Sequence, residues 1–144
     1  MRRSLTLPIV VAALVLLSAH INPAQAELPE AKGWYDLDIS ATPKVAKGGS
    51  GSVTVHITPK GGAEIHKEAP IKLALQAPAN VEMSKTQVGR KELKMNGNNA
   101  SFDVPFTARE AGNGDIEVTL SFYICTDQVC AHQERKASLP VAVR

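Results

Sequence analysis

Aromatic residues are scarce in this sequence: one Trp, two Tyr and three Phe among 144 positions. A core built from it must consist mostly of Val, Ile, Leu and Ala. There are two cysteines, Cys125 and Cys130. That is too few for a disulfide-scaffold fold, so the pair is either one staple or one redox couple. Beyond the first residues, no apolar run approaches the roughly 20 residues that a membrane-spanning helix needs. No later stretch holds a helical period, and there is neither an internal repeat nor a low-complexity linker. Gly48-Gly49-Ser50-Gly51 does not lead into a helix and reads as a turn, not a phosphate-binding loop. No paired carboxylates and no Ser/His/Asp set stand out.

What is present begins with a targeting segment. Met1-Arg2-Arg3 supplies positive charge, Leu5 to Leu17 is interrupted only by Thr6 and Pro8, and Pro23-Ala24-Gln25-Ala26 ends in an Ala-x-Ala pattern. These features predict a signal peptide over residues 1–26, cleaved after Ala26. No cysteine near that point would take a lipid anchor. The 144 residues less these 26 leave 118, enough for one domain over 27–144 with its own core. The expected location is periplasmic or secreted, with no membrane span after cleavage, and an oxidising compartment lets a disulfide persist. The full chain has 16 Lys and Arg against 14 Asp and Glu; without Arg2 and Arg3 the two signs balance at 14 each. A nucleic-acid partner, which requires a basic surplus on one face, is therefore not expected.

Residues 27–33 read as a flexible N-terminus, and Trp34 to Ser40 as a first strand anchored by Trp34 and Tyr35. Val53, Val55 and Ile57 alternate with Thr54 and His56, the pattern of a half-buried antiparallel strand. Residues 63–70 are polar, end in Pro70 and read as a connecting loop. Strands are expected at Ile71–Leu75, Val81–Met83, Thr86–Val88 and Phe102–Phe106, where Pro105 indicates an edge position or a bulge. Asn96-Gly97-Asn98-Asn99 is a turn signal. The clearest strand carries Ile116, Val118, Leu120, Phe122 and Ile124 on one face, and the last carries Leu139, Val141 and Val143. Seven or eight short strands with regular turn signals predict an all-β antiparallel sandwich.

The alternation points Tyr123 and Cys125 away from the core. Counting back from Leu139, Cys130 falls on the same outward parity unless a bulge intervenes. The four residues Thr126-Asp127-Gln128-Val129 form a common hairpin-loop length, which would set Cys125 opposite Cys130 and within disulfide range. Closing so small a loop stabilises a fold by only about 2 kcal/mol. Position and low structural value suit a bond that is made and broken. A permanent hairpin staple remains the alternative on spacing and parity alone.

The stretch from Phe122 through Tyr123-Ile124-Cys125-Thr126-Asp127-Gln128-Val129 to Cys130 resembles the active-site hairpin of the periplasmic N-terminal domain of DsbD-type thiol:disulfide interchange proteins. The block from His66 to Leu73 with Ala79-Asn80-Val81, and the strand Phe102 to Phe106, are also similar to that family. The resemblance, over residues 50–144, implies an immunoglobulin-like sandwich that relays electrons as an oxidoreductase component. It implies Cys125 and Cys130 as the redox pair, with Tyr123 shaping the site. The implied partners are other periplasmic thiol/disulfide proteins, including a separate membrane thiol reductant. Where that family often has a proline pair after the second cysteine, this chain has Ala131-His132-Gln133. The turn around Lys94-Met95-Asn96-Gly97-Asn98 lacks the aromatic residue of the family's cap loop.

Exchange chemistry requires a thiolate. His132, Arg135 and Lys136 follow closely and would favour one, Asp127 would oppose it, and each also reads as an ordinary solvated strand residue. Cys125, Cys130 and His132 would suit copper(I) or zinc if reduced, with Met83, Met95, His56 and His66 as extensions, but their spacing matches no ligand motif. No cofactor and no bound metal are expected. The competing function is a non-catalytic immunoglobulin-like binding or accessory module with a permanent disulfide.

Overall fold

A computed structural model describes Ala31 and residues 33–144. The expected signal peptide lies outside the described residues. So do residues 27–30 and 32 of the stretch expected to be flexible; Ala31, within it, is buried and its carbonyl accepts the Trp34 N–H. Among the described residues there is no helix, and hence none long and apolar enough to cross a membrane.

The described residues form eleven strands, in order β1 (Tyr35–Ala41), β2 (Lys44–Val45), β3 (Ser50–Pro59), β4 (Glu64–Ile65), β5 (Lys72–Gln76), β6 (Val81–Met83), β7 (Gln87–Gly89), β8 (Lys94–Asn96), β9 (Asn99–Ala108), β10 (Gly112–Cys125) and β11 (Cys130–Val143). One sheet has the order β1-β3-β9-β6, with β8 also on β9. The other has the order β2-β11-β10-β5-β7, with β4 also on β10. Inward residues of both sheets, including Val53, Phe102, Phe106, Leu73, Leu120 and Phe122, form one core. The fold is an all-β, immunoglobulin-like sandwich. Strands β1, β3 and β9 take the A, B and E places of that arrangement; β5, β10 and β11 take C, F and G, and β6 and β8 share the D place. All pairings are antiparallel except β2 with β11.

The three strands beyond the eight expected, β2, β4 and β8, have only two or three residues each, too few for a period to register. Pro105 is accommodated as its residue type requires. Its carbonyl accepts the Ser84 N–H on the β6 side, so its missing donor faces that side too, just where β6 ends, and the ladder to β3 stays whole. Gly97 sits at φ 60° in the β8–β9 turn, as the Asn-Gly signal indicates.

β10 and β11 pair without a bulge from Gly112↔Val143 to Cys125↔Cys130. Two inward positions of β11 are nevertheless polar, Gln133 and Arg135, which hides the strand's first half from a pattern reading. They meet Tyr35 of the opposite sheet. The Tyr35 hydroxyl donates to Gln133 Oε1 at 3.0 Å, Arg135 Nη2 donates to the same oxygen at 2.8 Å, and Gln133 Nε2 donates to the His132 carbonyl. The Tyr35 ring meets Phe122 edge-on at 5.1 Å. Burial raises the Tyr35 phenol above its usual range, while the Arg135 guanidinium pulls it the other way. This clasp ties the two sheets together on the core side of β11, near the cysteine hairpin.

Candidate functional site at the cysteine hairpin

The β10–β11 turn brings the cysteines together. The Thr126 N–H donates to the Val129 carbonyl at 2.8 Å, so 126 and 129 form the bonded pair and the cysteines occupy the adjacent non-hydrogen-bonded position. The Thr126 hydroxyl accepts the N–H groups of Gln128 and Val129, closing the loop with a side chain. Cys125 and Cys130 form a disulfide with Cα atoms 3.9 Å apart. The bond lies within one sheet, on its outward face: neighbours Ile124 and Ala131 are buried, Cys125 is half-buried and Cys130 is exposed.

The second wall of the site comes from the segment between β3 and β5. β4 continues the line of β5 along β10, pairing Ile65 with Ile124 and Glu64 with Cys125. Between Ile65 and Lys72 this segment spends six residues, 66–71, where β10 spends two, Phe122 and Tyr123. The surplus must leave the sheet as a protruding loop, and His66 stands at its base with its N–H on the Tyr123 carbonyl at 3.0 Å. The loop is held inside and out. His66 Nδ1 accepts the N–H groups of Glu68 at 3.1 Å and Ala69 at 2.9 Å, and Arg90 Nη2 donates to the carbonyls of His66 and Ala69. Between loop and hairpin lies a cleft of about 560 Å³, lined by Gly62, Ile65, His66, Cys125 and Thr126 together with charged Glu64, Lys67, Glu68 and Asp127.

The expected site residues are placed as follows. Cys125 and Cys130 are joined, and Asp127 lines the cleft. Tyr123 and His132 face each other one outward pair below the disulfide, ring centroids 4.9 Å apart, and His132 Nε2 lies 2.7 Å from Ser121 Oγ. The cations expected beside the sulfurs are engaged elsewhere. Arg135 and Lys136 lie five and six residues along β11 from Cys130, roughly 17–20 Å at strand rise. Arg135 sits on Gln133 and over the Tyr35 ring, and Lys136 reaches Glu134.

The histidine at the sulfurs is His66, at the base of this loop, not His132. One of its ring nitrogens and both cysteine sulfurs lie within 4.8 Å of one another, so His66 replaces His132 in any cluster built around the pair. Met95 lies beyond the loop, lining a separate cavity with Ile65, Lys67, Arg90 and Gly97, and does not border the cleft at Cys125. His56 lies elsewhere, on the outward face of β3. The clue to His66 is arithmetic: four surplus residues opposite Phe122 and Tyr123, visible once the register of β4 and β5 on β10 is known.

No family model matches the chain, and no curated protein matches it. Among solved structures it is similar to AggA, the major subunit of aggregative adherence fimbriae type I from Escherichia coli, at 12% identity over 76% of this chain and 95% of that one, with a TM-score of 0.40. It is also similar to murine CRIg at 11% identity over 76% and 98%, again with a TM-score of 0.40. Likenesses this remote do not bear on function.

Proposed function

We propose that the chain is an exported thiol–disulfide exchange module in which Cys125 and Cys130 cycle between disulfide and dithiol. The observation that carries this reading is the placement of the bond. It joins neighbouring strands that already pair over their whole length and it lies at an open tip, where Cys130 is exposed and Cys125 lines a cleft of about 560 Å³. A bond that adds little constraint and is open to another protein suits exchange better than bracing. The resemblance of the hairpin to DsbD-type N-terminal domains supports the same reading, and the targeting segment over 1–26 supports an oxidising, periplasmic setting.

In the reaction, a thiolate of a partner dithiol attacks Sγ of Cys130, the more exposed of the two cysteines. The Cys125–Cys130 bond breaks, its electron pair goes to Cys125 Sγ, and a mixed disulfide forms through Cys130. The partner's second thiolate then attacks its own sulfur in the mixed disulfide and releases Cys130. Two electrons have entered the module and the partner leaves as a disulfide. The reverse sequence passes them to an oxidised protein. The partners are dithiol proteins of the same compartment, with a membrane thiol reductant as the electron source.

Titration of the pair against a thiol buffer tests this. Exchange expects a potential above about −300 mV, whereas a permanent staple in a non-catalytic module lies below it. A Cys125→Ser variant, which leaves Cys130 free, is expected to trap mixed disulfides in periplasmic extract; the absence of any would contradict the proposal.

A further inference from the structure

We infer that the His66 ring is held by its own loop to donate an Nε2–H to Cys125 once the disulfide opens and that sulfur carries the negative charge. The inference rests on the exchange reading only in treating the reduced pair as a working state of the protein.

The argument starts from what His66 Nδ1 already does. It accepts two backbone N–H groups, from Glu68 at 3.1 Å and Ala69 at 2.9 Å. A nitrogen whose lone pair takes those donors carries no proton, and a neutral imidazole has one N–H, so the proton resides on Nε2. The ring is therefore set as a donor by the main chain of its own loop. The loop itself is pinned to β10 through the His66 N–H on Tyr123 and clamped by Arg90 on the carbonyls of His66 and Ala69. One ring nitrogen lies within 4.8 Å of both sulfurs, Nε2 is the nitrogen that the loop hydrogen bonds leave free, and the residue shares the wall of the cleft with Cys125.

The surroundings give this donor a task. The charged groups lining the cleft beside Cys125 are the carboxylates of Glu64, Glu68 and Asp127 and the ammonium of Lys67, a net excess of negative charge. From β10 and β11 the nearby titratable groups are Tyr123 and His132, the latter paired with Ser121. The carboxylates oppose a thiolate, weakly because they are exposed and screened. An oriented N–H at the sulfur favours the thiolate without adding a formal charge. When the bond breaks, the electron pair on Cys125 Sγ meets that N–H, and the proton stays on the imidazole.

The same geometry argues against a metal centre. To bind zinc or copper(I) between His66 and the two thiolates, Nε2 would need a free lone pair, which moves the proton to Nδ1. There it would point at two N–H donors, and both loop hydrogen bonds would be lost.

The test uses the full chain, chemically reduced, on a Cys130→Ser background so that Cys125 alone reacts. The probe is the pH profile of alkylation by iodoacetamide. His66→Asn keeps an acceptor for the Glu68 and Ala69 N–H groups through its amide oxygen but has nothing at the Nε2 position; His66→Gln places an amide N–H near it. His66→Asn is expected to raise the alkylation midpoint by about one pH unit, a tenfold loss of thiolate below the midpoint, and His66→Gln to recover part of the shift. A midpoint unchanged in both variants would overturn the inference. So would equimolar zinc retained through desalting by the reduced two-cysteine protein and lost in His66→Asn, which would make His66 a ligand instead. Because reduction here is chemical, a disulfide that never exchanges in the cell leaves this measurement readable, so the two proposals fail separately.

Discussion

Tyr123 and His132 are cross-strand partners directly below the disulfide, their rings tilted at 46° with centroids 4.9 Å apart. They occupy the outward face of the same two strands that carry Cys125 and Cys130, so their contact supports the hairpin while His66 faces the sulfurs. Tyr123→Ala is expected to cost about 0.5–1 kcal/mol in urea unfolding, the scale of an aromatic cross-strand pair. It should leave the alkylation midpoint of Cys125 where it was. A shift in that midpoint as large as the one expected for His66→Asn would show that the Tyr123–His132 pair also tunes the sulfur.

Replacing both cysteines with alanine removes one short loop closure and leaves the ladder from Gly112–Val143 to Ile124–Ala131 in place. The expected loss is about 2 kcal/mol, with the same β-sheet circular dichroism. An unfolded double variant would mean that the bond holds the sandwich together.

Arg90→Ala removes the clamp on the His66 and Ala69 carbonyls. Hydrogen exchange at the Glu68 and Ala69 amides, the two that donate to His66 Nδ1, is expected to accelerate while the amides of β10 stay protected. Unchanged exchange at those two positions would show that His66 holds the loop without Arg90.

Lys85 Nζ at 2.8 Å, and next the Gly89 N–H at 3.0 Å, lower the Glu92 carboxyl from 4.5 to about 2. A carboxyl depressed by folding contributes stability that is complete above its unfolded value and is lost as pH falls through the folded one. The wild-type urea midpoint should therefore fall from about pH 4.5 towards 2, and the Glu92→Gln midpoint should fall less over that window. The group is solvent-facing, so added salt should shrink the difference. Parallel curves for the two proteins would contradict this assignment.

Tyr35→Phe deletes the hydroxyl that donates to Gln133 Oε1 while Arg135 continues to donate to the same oxygen. A loss of about 1 kcal/mol is expected in denaturant unfolding, the value of one ordinary hydrogen bond. A loss several times larger would mean that the clasp acts as one unit.

Much of the sandwich was legible because a half-buried strand writes its orientation in every second residue. Ile116 through Ile124 alternate cleanly, and every one of those inward side chains is buried. The outward parity of Cys125 follows directly. That of Cys130 was harder to read, because Gln133 and Arg135 take inward positions that pattern assigns to apolar side chains. Their polarity is explained by the Tyr35 hydroxyl arriving from the other sheet. β2, β4 and β8 were invisible since two or three residues carry no period.

Local pattern along one hairpin was enough to bring the two sulfurs together: alternation set their face, and a loop of four residues set their register. His66 required more. Its place beside Cys125 comes from β4 and β5 sharing one flank of β10 with four residues too many between them, a mismatch that exists only when the strands are paired. Neighbours along a chain are constrained by strand periodicity and turn length, which the order of residues reveals. Neighbours across a sheet are selected by packing among distant segments, and no single segment records that choice.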